Sequence, residues 1–182
     1  NQIKERYNLK VNFKDKISYS LFPKPHYYVE NLDIFQSENV LINSKNSKIY
    51  ISIKNFFSFE KLNIKNVIFQ DNEFNIKRKN LSFFINLLNS NNSDDDIVFK
   101  DSIIFYKDSS NDVIFLVDLN YLKFFYDKEK KYQSLASYKI FNLPFKFNLT
   151  HDTEKKIFSF DLGSKNIRTK LNNSINYGNE KI

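Results

Sequence analysis

Few residues of this chain are of a type and spacing that could do chemistry. His26 and His151 are the only histidines, and neither is followed at a metal-ligand spacing by a cysteine or another histidine. Asp152, beside His151, is more typical of a hairpin turn than of an acid–base pair. The three aspartates at 94–96 lack the alternating ligands and bend glycine of an EF-hand loop, which favours a solvated loop or the N-terminal approach to a strand. The sequence therefore predicts no enzyme, no metal site and no cofactor.

Composition narrows the class of protein further. The 182 residues predict one domain, and 20 Phe with 11 Tyr supply ample apolar material. With only 2 Gly, glycine-loop nucleotide sites are excluded, and with no Cys there are no disulfides. The net charge of +7 is scattered along the chain, so it predicts weak attraction to acidic surfaces and no nucleic-acid partner. No apolar run reaches the length of a membrane helix. The chain begins at Asn1 rather than Met, so we expect upstream sequence to have been removed.

Alternating apolar and polar residues dominate the chain and predict strands that bury one face. Clear examples begin at Leu9, Ile17 and Ile49, with a turn at 14–16 between the first two and an apolar island at 40–42. Further strands are predicted at 97–106, 113–126, 137–150 and 156–162, with a weaker one at 167–177 and turns at 108–112 and 151–154. Leu81, Phe84, Ile85 and Leu88 predict one helix at 80–89, capped by Asn80. The fold class is thus mainly β, as an elongated, curved antiparallel sheet with one short α-helix.

A proline-punctuated corner, Pro23-Lys24-Pro25, leads into the most informative strand. There the apolar positions are Tyr27 and Val29 and then Leu32 and Ile34, which is period two with one residue inserted. Such a pattern keeps one inward face only if Glu30-Asn31 forms a bulge. Similar patterns start 35 residues later, at 62–69, and again at 97–102, where Asp101 replaces the asparagine. This recurrence predicts a repeated structural unit.

The predicted strands leave a continuous apolar face that one helix is too small to cover. An acyl chain could fill such a groove, since each CH₂ removed from water contributes about 0.8 kcal/mol and a whole tail about 10 kcal/mol. A structural or adhesive β-sandwich that binds a protein partner is the alternative, and an outer-membrane β-barrel fits the short early strands poorly. The predicted groove-lining, lipid-binding residues are Leu9, Val11, Phe13, Ile17, Tyr19, Leu21, Tyr27, Val29, Ile49, Ile51, Ile53, Leu62, Ile64, Phe74 and Ile76.

The first half of the chain, from Tyr7 to about Asn89, resembles the start of AsmA-like proteins of the bacterial envelope. The resemblance lies in the segment Tyr19-Ser20-Leu21-Phe22-Pro23-Lys24-Pro25, the inserted strand at 27–34, the strand at 49–57, and the strands and helix that follow. The glycine usual before the first strand is absent, since Tyr7-Asn8 stands there.

The resemblance implies an open β-groove that carries phospholipid between the inner and outer membranes and serves envelope biogenesis. It also implies a periplasmic domain tethered to the inner membrane by a missing N-terminal helix, with envelope proteins as possible partners. On this expectation residues 1–182 are one AsmA-like domain, a fragment that lacks its anchor and a downstream sheet.

Overall fold

A computed structural model describes residues 9–36, 38–56, 64–81, 96–127 and 131–177. Within these ranges the chain forms one 11-stranded sheet and two short 3₁₀ turns, Ile53–Phe56 and Arg78–Asn80. No helix in these ranges has both the length and the apolar character needed to cross a membrane. The strands are β1 Leu9–Phe13, β2 Ile17–Ser20, β3 His26–Gln36, β4 Asn39–Ile51, β5 Ile64–Lys77, β6 Asp96–Lys107, β7 Val113–Asp127, β8 Lys131–Ile140, β9 Leu143–Asp152, β10 Ile157–Ser164 and β11 Thr169–Asn176.

The sheet is open and mostly antiparallel, which confirms the predicted fold class. Its strand order is β1-β3-β4-β5-β6-β7-β8-β9-β10-β11, and β2 pairs with β3 beside β1. Only β5 and β6 run parallel. A parallel pair needs a long crossover, and the chain supplies one between Lys77 and Asp96. All but two residues of the predicted helix at 80–89 fall outside the described residues. Asn80 and Leu81 are described, and Asn80 closes the turn by accepting a hydrogen bond from the Lys77 amide (2.7 Å).

The two faces of the sheet differ sharply. Cross-strand partners point to the same side, and the register therefore places Ile42, Phe74 and Ile104 side by side, and likewise Phe69, Phe99 and Leu122. The buried cluster of Leu41, Ile42, Phe74, Phe99 and Leu119 centres on this side, which we call the apolar face. The opposite side, which we call the polar face, carries the lysines and carboxylates of the strands.

One row of the sheet contains an extra residue in every strand from β3 to β7. On the apolar face the spacing there is three rather than two, as between Val29 and Leu32. We call the residues that take up this extra position the insertion row. They occupy the polar face in pairs: Glu30-Asn31, Lys45-Asn46, Gln70-Asp71, Lys100-Asp101 and Asn120-Tyr121.

β3 therefore contains the extra residue that the sequence predicts. It is not a bulge of β3 alone, because the neighbouring strands contain the same insertion. The pairing of β3 with β4 continues in register from Glu30↔Asn46 to Leu32↔Ser44, because β4 carries the same insertion. The row ends in pairing irregularities on both sides. On one side, the three residues 14–16 between β1 and β2 lie opposite only two residues of β3, Glu30 and Asn31. On the other side, the register of β7 with β8 shifts between Leu119 and Tyr121.

Asparagine and aspartate make the insertion row possible. Asn31, Asp71 and Asp101 have left-handed backbones, with φ of 47°, 55° and 48°. These residue types tolerate that region better than other non-glycine residues. The three lie on β3, β5 and β6, which share one direction. The predicted repeat is thus right for Asn31 and Asp101. It is wrong for Asn66, because β5 uses Asp71 at this row and Asn66 pairs regularly with Tyr50.

Three further sequence predictions were wrong. Residues 14–16 do not reverse the chain, because β1 and β2 run in the same direction along β3. The single strand predicted at 137–150 is a hairpin, since Phe141 and Asn142 both have positive φ and form a two-residue turn.

The island at 40–42 and the strand at Ile49 belong to one strand, β4, whose polar middle is buried at Ser44 and Ser47. The turn at 108–112 is confirmed by hydrogen bonds to Asp108.

Candidate functional site: the apolar face

The apolar face is continuous across all eleven strands. Among the described strand residues that have a cross-strand partner, no Lys, Arg, Asp or Glu lies on it; these charged residues all pair on the polar face. A sheet with one face free of charge normally packs that face against a second layer. In the described part of the chain no second sheet and no α-helix does so. The face is therefore the feature that calls for a functional explanation.

Burial on this face is uneven. The centre, around Val29, Phe74 and Phe99, is buried by neighbouring side chains. Towards both edges large apolar side chains are open to solvent: Ile17 is 51% exposed on β2, and Leu171 is 50% exposed on β11. Further exposed residues of the same face are Phe13, Tyr19, Ile64, Phe115, Leu143 and Ile175. Contiguous exposed apolar surface of this kind marks an interaction site.

The structure brings most of the predicted groove-lining residues together. Register places Ile17 beside Val29, Tyr19 beside Tyr27, Tyr27 beside Ile49, and Ile51 beside Ile64. The members that share the apolar face are Leu9, Val11, Phe13, Ile17, Tyr19, Tyr27, Val29, Ile49, Ile51, Ile64, Phe74 and Ile76.

Three predicted residues are not on a described strand. Leu21 follows β2 at the proline corner, and Ile53 starts a 3₁₀ turn; both side chains are exposed. Leu62 lies outside the described residues.

Sequence reasoning missed the second half of the face. The structure continues it through Phe145 and Phe147 on β9 and through Phe158, Phe160 and Leu162 on β10. Their period-two alternation was visible in the sequence. What was missing was the pairing partner of each strand, because the hairpin at Phe141-Asn142 was read as continuous strand.

Aromatic rings line this second half in cross-strand pairs. Tyr138 stacks on Phe145 with ring centroids 5.6 Å apart, and Tyr106 stacks on Phe115 at 4.9 Å. Such pairs contribute about 0.5–1.5 kcal/mol beyond the area that they bury. Burial in this setting raises the pKa of the Tyr138 hydroxyl. The cause of the shift is the partial loss of water around that hydroxyl.

His151 also belongs to this aromatic surface. Its ring lies between Tyr132 (5.7 Å) and Phe158 (5.9 Å), and its Nε2 is 2.7 Å from the Tyr177 hydroxyl oxygen. Asp152 points to the other side of the sheet and accepts a hydrogen bond from the Lys155 amide in the turn. The two neighbours therefore form no acid–base pair, and Asp152 acts as the turn residue that the sequence predicts.

A short polar strip crosses the middle of the apolar face beside the insertion row. Ser44 and Ser47 share a hydrogen bond of 3.1 Å, and Asn72 donates to the Ser102 hydroxyl at 2.7 Å. All four residues are buried, with Ser44 wholly inaccessible. The Asn72 Oδ1 is buried without a hydrogen-bond partner. The strip therefore adds buried polar groups to the apolar face but no charge.

The described residues hold no group of three His, Asp or Glu side chains that could bind a metal ion. His26 is buried against Tyr50 on the polar face, with its Nδ1 2.8 Å from the Lys24 carbonyl oxygen, and has a structural role at the proline corner. The apolar face, in contrast, can bind apolar ligands over a wide area. No protein-family model matches the chain, and a comparison with curated proteins finds no match.

Proposed function

We propose that the apolar face binds the acyl chains of phospholipids and that the protein is a non-enzymatic lipid-binding or lipid-conducting domain. The observation that carries this proposal is the absence of charged residues from that face across the described strands. A protein partner with a sequence-specific interface typically brings polar and charged rim contacts. A hydrocarbon chain needs none, and each CH₂ buried contributes about 0.8 kcal/mol.

The distribution of exposed apolar residues supports an open path for a lipid tail across the sheet rather than a closed pocket. Exposed apolar residues occur on β1 and β2 at one edge and on β11 at the other, with a half-buried surface between them. A lipid tail could therefore contact the same kind of surface at successive positions. The polar face would remain in water, because its lysines and carboxylates are mostly exposed.

The AsmA-like resemblance points in the same direction. Under this proposal the chain is one groove-forming part of a bacterial envelope protein, anchored to the inner membrane through a helix outside this sequence. It would lie in the periplasm and move phospholipid between the inner and outer membranes. The resemblance covers the first half of the chain, from Tyr7 to about Asn89. For the second half of the sheet the proposal depends on the apolar face alone.

The direct test is to purify the chain without detergent, extract bound lipid and identify it by mass spectrometry. We expect phospholipid at a fixed ratio to protein. A second measurement is the uptake of fluorescently labelled phosphatidylethanolamine from vesicles. A protein that carries no lipid and takes up none from vesicles contradicts the proposal.

Two adjacent residues of β7 make a matched pair of variants. Phe115 is 38% exposed on the apolar face, and Leu116 is 43% exposed on the polar face beside Phe105. Phe115→Glu should reduce lipid uptake several-fold, because it places a charge in the path of the acyl chain. Leu116→Glu adds the same charge at similar exposure and should leave uptake unchanged. Equal losses in both variants contradict binding at the apolar face.

A further inference from the structure

A cavity of about 800 Å³ lies on the polar face, between strands β8 and β11. Two cross-strand rows of that face line it. Lys146, Gly163 and Lys170 form one row, and Leu135, Asn148 and Asp161 form the next. Tyr121 and Pro144 add apolar lining. The volume is within the range of pockets that bind small ligands, about 300–1,000 Å³.

Gly163 lines the cavity and pairs with Lys146 on one side and Lys170 on the other. Its φ lies outside the left-handed region, so the backbone there does not require glycine. A Cβ at this position would meet only the Thr169 carbonyl oxygen, at 3.7 Å, which is an ordinary contact. The chain has only 2 Gly in total, and the described left-handed positions are all occupied by other residues, mostly asparagine or aspartate. What Gly163 supplies is empty space between Lys146 and Lys170.

The charge around the cavity is strongly positive. Lys146, Lys165, Arg168 and Lys170 all line it, and Asp161 is the only carboxylate among the lining residues. In the part of the chain that the structure describes, ion pairs are formed by Lys14 with Asp33 and by Lys123 with Asp96, and by none of these four cations. Four unpaired cations around one space attract an anionic group.

One buried polar atom on the polar-face side of the lining has no hydrogen-bond partner. It is the Oδ1 of Asn148, which pairs across the strands with Leu135 and Asp161. A buried polar group left unpaired lowers stability. A ligand that offers a hydroxyl donor to Asn148 would satisfy it.

From these four observations we propose that this cavity binds a single-chain anionic amphiphile, a fatty acid or a lysophospholipid. The carboxylate or phosphate lies between Lys146 and Lys170, over Gly163. The acyl chain lies against Leu135, Tyr121 and the aliphatic stems of the lysines. The site is on the opposite side of the sheet from the apolar face, so it does not depend on the function proposed for that face.

The test is titration calorimetry of the full chain with four probes below their micelle concentrations: dodecyl phosphate, dodecanoate, dodecyltrimethylammonium and inorganic phosphate. We expect the two anionic amphiphiles to bind at one per chain, and the cationic one at least tenfold more weakly. Relative affinity for dodecanoate and dodecyl phosphate separates a fatty-acid site from a lysophospholipid site. Binding of inorganic phosphate as tight as that of dodecyl phosphate, or equal binding of the cationic amphiphile, overturns the proposal.

Two sets of variants locate the site. Gly163→Leu fills the cavity and should lower the affinity for dodecyl phosphate at least tenfold. The double variant Lys146→Glu, Lys170→Glu should do the same and abolish the salt dependence. Lys48→Glu, on the polar face of β4, is the charge control, and Phe115→Glu is the control for the apolar face; both should bind normally. If Gly163→Leu does not fold, the lysine pair decides. Unchanged affinity in the lysine pair rejects the site.

Discussion

Strands β3–β7 and strands β8–β11 belong to one sheet, but they differ in the spacing and burial of the residues on its apolar face. In β3–β7 every strand carries an inserted residue at the same row, and most of the deeply buried apolar residues lie there, among them Val29, Leu41 and Phe99. In β8–β11 the apolar face keeps strict period two, as in Phe145, Phe147 and Leu149, and its residues are mainly half-buried. The last strand, β11, is exposed along its whole length.

The difference shows that an inserted residue constrains the neighbouring strands of the sheet. An extra residue in one strand flips the rest of that strand onto the wrong face, unless each neighbour has the same insertion. The chain therefore repeats the insertion five times, with Asn or Asp at the left-handed positions, and ends it at the shift beside Asn120. Beyond that shift no such constraint exists. Sensitivity to mutation should accordingly fall from the first region to the second.

The largest effect should come from deletion of Asp101. Without it β6 is one residue short, so after Lys100 it can keep its register with β5 and β7 only by moving Ile104 and Tyr106 to the polar face. We expect loss of cooperative unfolding, measured by circular dichroism against temperature. Deletion of Asn111, in the turn after β6, is the control and should retain the transition. A Δ101 protein that unfolds like the parent would show that the row is not a shared constraint.

The next largest effect should separate the two regions by core truncation. Phe99 packs against the rings of Phe69 and Phe74 at 5.0 and 5.1 Å, and Phe99→Ala should lower the free energy of unfolding by about 3–5 kcal/mol. Leu171→Ala, on exposed β11, should cost less than about 1 kcal/mol. Urea denaturation measures both. Similar losses would mean that β8–β11 is packed as tightly as β3–β7.

A smaller effect is expected from the polar strip. Asn72→Ala removes the donor to the Ser102 hydroxyl, which keeps its own bond to the Lys100 carbonyl oxygen (2.9 Å). The expected cost is about 1–3 kcal/mol in the free energy of unfolding. Ser159→Ala is the matched control on β10, where the hydroxyl bond to Ser174 is exposed. It should be close to neutral, and a larger loss there than at Asn72 would reverse the comparison.

The smallest effect concerns the backbone of the insertion row. Asp101→Gly should be neutral or should stabilise by up to about 1 kcal/mol, because glycine adopts φ near 48° without strain. Asp101→Val should destabilise by about 1–2 kcal/mol, since a β-branched residue is disfavoured there. The same pair of substitutions at Asp118, which pairs with Ile103 and Lys139 and has no positive φ, should reverse the order. Thermal midpoints of the four variants measure this.

Much of the apolar face could be predicted from the sequence, because period two assigns each side chain to a face whatever its partner is. The spacing of Val29 and Leu32 even revealed the insertion. It could not show that β4 and β5 share it, since the polar middle of β4 resembles a loop until Ser44 and Ser47 are seen paired. The cavity beside Gly163 was also out of reach, because it depends on which lysines flank that glycine across two strand pairs.

The open arrangement of the strands has one more consequence. A barrel or a sandwich fixes its strand number by closing on itself, whereas this sheet ends at β11 with one edge that no described strand covers. Each strand added there would widen the surface by about 4.8 Å. The width of the binding surface therefore depends on the number of strands. Duplication of a hairpin can widen it during evolution without changes to the other strands.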